Sequence, residues 1–323
     1  MGSKTQHFVA IVGGAVSGSV AAEILAENGV EVVVIEQNDR PYGKIEDGLP
    51  RWHVHQRKQE YGRIDERLTR AGVHFVPRTK LGTDVRFEDL TQEWGLSAVL
   101  LANGAWRDRA LPVDGADDYI GKGLEYQNPF IYWFNHKNEK SFEGRRIHVP
   151  DGAIIFGGGL ASIDVLKVCQ LETYERALEE RGIEVSMLDL EKKGIPATCA
   201  AHGISDPAEL GVEGSLLLYR RRTDDMPLAQ PAPDATPEQM EKTINARRKL
   251  LARAQEKYLF RVQDKTLPTR LIIEDGRIAG VETLRTEVDG RKATPIEGTG
   301  ETFRTELILS SIGSVPEKIP ASP

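Results

Sequence analysis

Apolar residues in this chain fall in short, dense runs separated by glycine-rich turns. HFVAIV (7–12) has the pattern of a compact strand. The turn GGAVSG (13–18) follows, then SVAAEILAENG (19–29), in which Val20, Ile24 and Leu25 recur at helical spacing and Gly29 supplies a stop. VEVVVIEQ (30–37) reads as a second strand, rich in β-branched residues and buried on both faces. Strand, helix and strand in that order predict a βαβ unit and therefore a parallel sheet.

The stretch from Asn38 to Tyr61, with Pro41, Gly43, Gly48 and Pro50, reads as loop. IDERLTRAG (64–72) predicts a short helix, VHFVP (73–77) a strand, and LSAVLLANGAW (96–106) a strand closing on a tight turn. GAIIFGGGLASIDVLKVCQ (152–170) then repeats the opening pattern of strand, glycine turn and helix. Residues 171–214 read as a charged insertion, helical around YERALEERG (174–182), which delays the second strand of this second unit to LLLYRRR (216–222). TPEQMEKTINARRKLLARAQEKYL (236–259) begins with a Thr and has Glu and Gln in its first turn, a helix-start signal. TRLIIEDGRIAGVETLRTEVDGR (269–291) predicts a hairpin ladder turning at two Asp-Gly pairs, and ELILSSIGSVPE (306–317) a last apolar strand. The expectation is an α/β chain with two Rossmann-like, three-layer nucleotide-binding domains, the later inserted in the earlier. One domain spans 1–115 and returns at 306–323, and the other spans 116–305.

Composition narrows the partners. The chain has 323 residues, 40% hydrophobic and 28% charged, as a globular protein of two domains does. A formal charge of −7 disfavours nucleic acid or an anionic membrane as a partner of the whole chain. The two cysteines, Cys169 and Cys199, form no C-x-x-C pair, so neither a cysteine-ligated cluster nor a dithiol centre is expected. No signal-peptide pattern opens the sequence and no apolar run reaches membrane-spanning length, which predicts a cytoplasmic protein.

The two glycine turns carry the candidate chemistry. In the first, Gly13 supplies the tight turn and Gly18 the close packing of helix on strand, while Ala15 takes the middle position and narrows the approach to a pyrophosphate. Glu36 ends the second strand about 20 residues on, where a carboxylate accepts ribose hydroxyls and repels a 2′-phosphate. This turn therefore suits FAD or NAD; its alternative reading is a strand–turn–helix whose glycines serve only packing. In the second turn the spacing is Gly157-x-Gly159-x-x-Ser162, with Leu160 and Ala161 between. No acid follows its second strand. Tyr219 and Arg220–Arg222 stand there instead, as an NADP site needs, because guanidinium groups form charge-assisted bonds to a 2′-phosphate. Arg220 and Arg221 are the candidates, and Arg222 is expected to face solvent or pair with Asp224 or Asp225. The alternative is a solvated basic turn.

At this point the residues carry a resemblance. YRRRTDDMPLA (219–229) is similar to the Tyr-Arg-Arg…Met-Pro-Ala signature of flavoproteins related to the glutamate synthase small subunit. PYGKIEDGLPRWHVHQRK (41–58) resembles the flavin-proximal loop of that group and of adrenodoxin-reductase-type ferredoxin–NADP reductases. FIYWFNHK (130–137) resembles the Trp-Tyr-Asn-Gly stretch of the latter type, and LLANGA (100–105) and LSSIGS (309–314) stand where the group has two Ala-Thr-Gly crossover turns. The resemblance implies an FAD domain interrupted by an NADP domain, with Gly43, Lys44 and Gly104 joining the flavin site. It implies NADPH as donor, FAD as relay and a ferredoxin-like or iron–sulfur partner as acceptor, with no obligatory acid–base residue. Ala15, Asn103 and Ser310–Ser311 depart from the pattern. In that group the chain also returns to the FAD domain with a further strand and a Gly-Asp turn, which leads to the expectation of truncation at Pro323.

Two other functions compete. The electron-input subunit of glutamate synthase usually carries cysteine-rich motifs ahead of the first glycine turn, and no cysteine stands there in this sequence. A catalytically silent nucleotide-binding protein would account for the substituted glycines. Among smaller signals, His53 and His55 lack the companions of a metal site. Arg51, Arg57 and Lys58 either dock an acidic partner or form a solvated face. Trp133 either covers a ring or fills the core, and Cys169 is expected to be a packed thiol.

Overall fold

The computed structural model describes residues 6–319. Residues 1–5, part of the segment read for a signal peptide, and 320–323, the end of the expected return segment, lie outside the described residues. The chain divides into two compact units, one comprising residues up to Arg107 and again from Ser314, the other Asp108–Gly313. The sequence reading put these crossings at 115 and 306.

In the first unit β1 (Phe8–Val12), α1 (Val16–Glu27) and β2 (Glu31–Ile35) form the expected βαβ start. Helices α2 (Lys44–Asp47) and α3 (Val54–Leu68) precede β3 (Val73–Val76) and β4 (Ala98–Leu101). The four strands form one parallel sheet in the order β3-β2-β1-β4. One face buries Val9, Ile11, Val32 and Val34 against Ala22 of α1 and Ile64 and Leu68 of α3. The other packs Val12 and Ile35 against Leu81 and Leu90. Each fully buried aliphatic side chain stabilises the unit by about 1.5–3 kcal/mol.

Two expectations need correction in this unit. α1 turns Gly18, Ser19 and Ala22 to the sheet, whereas Ile24 is 54% exposed, because small residues let the helix sit close over β1. The stretch read as loop up to Tyr61 contains α2 and most of α3. The first two and a half turns of α3 bury nothing, so no apolar stripe announces them.

The second unit begins at the end of the short strand β5 (Arg107–Asp108). β6 (Leu124–Tyr126) and α4 (Gln127–His136) lead to β7 (Ile154–Gly157) and α5 (Leu160–Glu179). Helices α6 (Met187–Lys193) and α7 (Ile195–Ala201) precede β8 (Leu216–Leu218), α8 (Pro237–Tyr258) and β9 (Arg261–Gln263). An antiparallel ladder follows: β10 (Thr266–Glu274), β11 (Arg277–Asp289), β12 (Lys292–Pro295) and β13 (Glu301–Arg304). β14 (Ile308–Ser311) closes the unit, and the short β15 (Ser314–Val315) follows.

Five parallel strands run in the order β6-β14-β7-β8-β9. The last apolar strand of the sequence thus sits inside this sheet, between β6 and β7. The helical stretch expected around 174–182 is the continuation of α5, whose buried positions extend from Ser162 past Leu171 to Leu178. Leu271, Ile278 and Val281 of the ladder pack with Ile154, Phe156, Leu216 and Leu218 of the parallel sheet in one core. The helix start expected at Thr236 is formed, with Thr236 as N-cap of α8 in a capping box with Gln239.

Candidate functional site

Each unit contains one glycine turn, and the two are built alike. In the first, Val12 pairs with Ile35, so the turn begins one residue later and Glu36 stands beside it. Gly13 has φ +98°, a conformation that only glycine adopts without strain, and a side chain there would lie 2.5 Å from the Ala102 carbonyl oxygen. A methyl at Gly18 would come within 1.8 Å of the Gly13 carbonyl oxygen, so α1 can approach the turn only over a bare Cα. The N-cap Ala15 offers no side-chain hydrogen bond and the first turn of α1 carries no acid. The amide groups and positive end of the helix are thus left for an anion.

Glu36 is 5% exposed, and its two oxygens accept from the Gly14 and Asn38 amides, each at 3.0 Å. These bonds fix the carboxylate beside the turn and leave lone pairs for hydroxyl donors. A cavity of about 250 Å³ opens there, and Gly13, Ala15, Glu36, Gly43, Lys44 and Gly104 all line it. Lys44 Nζ lies 3.4 Å from Ser314 Oγ and 5.3 Å from the centre of the Trp106 ring. An adenosine diphosphate moiety fits these residues: a carboxylate for ribose hydroxyls, a helix N-terminus and a lysine for pyrophosphate. The methyl of Ala15 sits 3.0 Å from where a Gly43 side chain would begin, so the 41–48 loop closes onto the turn. Sequence reasoning missed Tyr42, Thr79, Lys80 and Trp106, which also line the cavity. Thr79 and Lys80 follow β3, and the rule that ligands lie beyond the carboxyl ends of parallel strands was the available signal.

In the second unit Phe156 pairs with Leu218, so Tyr219 holds the position that Glu36 holds in the first. The Tyr219 ring lies against Gly158, where a methyl would come within 2.4 Å of it. Burial raises the Tyr219 phenol above its ordinary pKa, with the nearby Arg221 opposing the shift. Its hydroxyl donates to the Asp225 carbonyl oxygen at 3.1 Å and accepts from Arg221 Nε at 3.0 Å. Arg221 Nη2 reaches the same carbonyl at 3.2 Å, so this guanidinium is held in place. Arg220 is exposed and its guanidinium makes no ion pair among the described residues. Arg222 pairs with Asp225 through two bonds of 3.0 and 3.2 Å.

The first turn of α5, with Leu160 and Ala161 exposed, has no acid, and its N-cap Gly159 gives no side-chain bond. Ser162 is fully buried and donates to the Ser311 carbonyl oxygen at 2.9 Å, so the hydroxyl that replaces the third glycine ties α5 to β14. A 2′-phosphorylated dinucleotide fits this arrangement: an uncapped helix start for pyrophosphate and, beyond the second strand, the exposed Arg220 beside an Arg221 held by neutral oxygens.

The smaller signals resolve into structure. His53 caps α3 and His55 lies two positions along the same helix, about 200° around it, so the two rings diverge. Arg57 donates to the Glu46 carbonyl oxygen at 3.0 Å and Lys58 is exposed. Trp133 is 5% exposed within α4 and belongs to the core. Cys169 is buried, and that burial pushes its thiol pKa up, which keeps it protonated. No group of three His, Cys, Asp or Glu among the described residues is arranged to hold a metal ion. No helix among the described residues is long and apolar enough to cross a membrane.

Comparison with known proteins points the same way. An NAD(P)-binding Rossmann-like domain family matches residues 11–59, around the first turn. The glutamate synthase [NADPH] small chain of Mycobacterium tuberculosis (strain CDC 1551 / Oshkosh) is 30% identical over 172 residues, 50% of this chain and 33% of that protein. The mitochondrial NADPH:adrenodoxin oxidoreductase of Arabidopsis thaliana is 26% identical over 177 residues, 54% of this chain and 35% of its own. The structure of Mycobacterium tuberculosis FprA in complex with NADPH superposes with a TM-score of 0.68 at 18% identity, covering 98% of this chain and 73% of that one. The resemblance read from the motifs is borne out, as is the α/β fold with two Rossmann-like units. The matched segment spans about a third of the length of these two curated relatives.

Proposed function

We propose that the chain is an NADPH-dependent flavoprotein oxidoreductase, the first turn holding FAD and the second NADPH, with a ferredoxin-like or iron–sulfur protein as acceptor. The observation that carries this reading is the contrast at equivalent positions: a buried carboxylate at Glu36, a tyrosine followed by Arg220 and Arg221 in the other unit. Glu36 accepts the ribose hydroxyls of FAD, the N-terminus of α1 and Lys44 face its pyrophosphate, and Gly43 and Gly104 let the backbone approach. Gly157, Gly159, Leu160, Ala161 and Ser162 form the corresponding bed for NADPH, and Arg220 and Arg221 take its 2′-phosphate. Bound FAD would supply the redox chemistry, accepting two electrons from NADPH and releasing them one at a time. The protein's own part is to bind and orient, and no residue is assigned as acid or base. The likeness to proteins named for NADPH and to FprA in complex with NADPH supports the donor.

A second reading, electron input to a glutamate synthase-type complex, draws on the 30% identity to the small chain. The visible spectrum of the purified protein tests the first. Flavin bands that bleach with NADPH, and far more slowly with NADH, are expected. A colourless protein after reconstitution with FAD, or equal bleaching by both donors, contradicts it.

A further inference from the structure

The arginine turn carries its own opposition. Asp224 and Asp225 lie within five residues of Arg220, and a bare carboxylate so close to a phosphomonoester would repel it. Both acids are engaged. Asp225 accepts from Arg222 within the same turn. Asp224 accepts from Arg248 of α8, Nε to Oδ1 at 2.7 Å and Nη2 to Oδ2 at 2.5 Å, a bidentate pair that spans 24 residues of sequence. The adjacent Arg247 donates to the carbonyl oxygens of Asp224 and Ala229, each at 2.9 Å, which fixes the turn against the helix. Asp264, the third acid at the turn, accepts from the Thr223 amide at 3.0 Å and lies 4.0 Å from Arg285.

The Arg248–Asp224 pair is partly solvated, with side chains 59% and 32% exposed, and a pair of that kind contributes little to stability. Its consequence is electrostatic. Asp224, whose pKa the hydrogen bond from Arg248 lowers further, is negatively charged at neutral pH whether or not Arg248 is present. Only a counter-charge can mask it.

We propose that Arg248 determines nucleotide specificity without touching the nucleotide: by masking Asp224 it keeps the Arg220–Arg221 turn attractive to a 2′-phosphate. This rests on the assignment of Arg220 and Arg221 to that phosphate, and it adds a residue outside the nucleotide-binding signature. Arg248 is a positioning and field-setting residue rather than a ligand. The ratio of NADP⁺ to NAD⁺ affinity is the readout, since a merely structural defect in α8 would lower both affinities together.

The test is calorimetric titration of the full chain with NADP⁺ and with NAD⁺. Arg248→Ala is expected to lower the NADP⁺/NAD⁺ affinity ratio by about threefold, the effect of one unmasked, half-solvated charge near the ligand. Arg248→Lys retains most of the ratio, and Asp224→Asn combined with Arg248→Ala restores it. Three results would overturn the proposal. The ratio could be unchanged in Arg248→Ala, it could stay low in the double variant, as a direct Arg248–phosphate contact would require, or Arg248→Lys could lose as much as alanine. Arg220→Ala separates the underlying assignment: if it leaves the ratio intact, the phosphate reading fails irrespective of Arg248.

Discussion

The two glycine turns share a backbone plan and differ at the positions proposed to meet a nucleotide. Gly13 and Gly157 open equivalent turns, Glu36 and Tyr219 occupy equivalent places one residue past the last strand pair, and α1 and α5 start without side-chain caps. The glycines are distributed differently. The first turn keeps Gly18 at the helix and accepts Ala15 in the middle; the second keeps Gly159 in the middle and accepts Ser162 at the helix. The helix position can change because Ser162 turns its hydroxyl onto the Ser311 carbonyl oxygen, whereas Gly18 has the Gly13 carbonyl directly above it. On the proposed reading, diphosphate binding is a property of the shared backbone, and the choice between a 2′-hydroxyl and a 2′-phosphate is delegated to one or two side chains beyond the second strand.

That contrast breaks hardest at the helix position. Gly18→Ala forces a methyl to 1.8 Å from the Gly13 carbonyl oxygen and should destabilise the first unit by about 3 kcal/mol. Ser162→Gly, the matching change in the second unit, loses its hydroxyl bonds and adds backbone freedom but creates no clash, and should cost about 1–2 kcal/mol. Denaturant unfolding of both variants measures the difference, and equal losses would show that the two turns do not pack as described.

A smaller effect is expected at the acid. Glu36→Gln keeps the shape but loses the charge and one of the two acceptors that hold the Gly14 and Asn38 amides, and should weaken FAD binding by at least about tenfold while leaving NADP⁺ affinity unchanged. Quenching of flavin fluorescence on titration reads the first and calorimetry the second. Smaller again is Tyr219→Phe, which removes the hydroxyl between Arg221 and the Asp225 carbonyl. Freed from that bond, Arg221 should bind a 2′-phosphate about fivefold less well, a loss of the size of one hydrogen bond, with NAD⁺ unaffected.

The least of these effects concerns pH. Arg248 draws Asp224 below its ordinary value of 3.8, so the pairing is complete above that range and is lost as pH falls through the lowered pKa. The stability difference between the native chain and Arg248→Ala should therefore be constant at neutral pH and vanish in strong acid. Thermal melts across that range test it, and a difference persisting at the acid end would assign the effect to something other than the ion pair.

Much of this site was legible in the sequence because its chemistry is local. The glycine spacings, Glu36 and the arginine run each lie within a few residues of a strand end, and the apolar runs that position them are strong. What was not legible depends on distance or on weak patterning. The pairing of Asp224 with Arg248 joins residues 24 apart, and the bond from Ser162 to Ser311 joins residues 149 apart. The start of α3 was hidden because VHQRKQEYGR buries nothing, and Ile24 misled because small residues, not large ones, face the sheet. The place of Ile308–Ser311 between β6 and β7 is set by sheet pairing, to which a short apolar run gives no clue.

The most direct test of the division between the turns is calorimetric titration of the full chain with NADP⁺ and NAD⁺, before and after exchanging Arg220 and Arg221 together for alanine. The native chain should bind NADP⁺ at least about tenfold more tightly than NAD⁺, and the exchange should bring NADP⁺ down to the NAD⁺ level while NAD⁺ binding barely moves. Equal affinity of the native chain for both nucleotides, or a loss shared equally between them in the variant, would contradict the account.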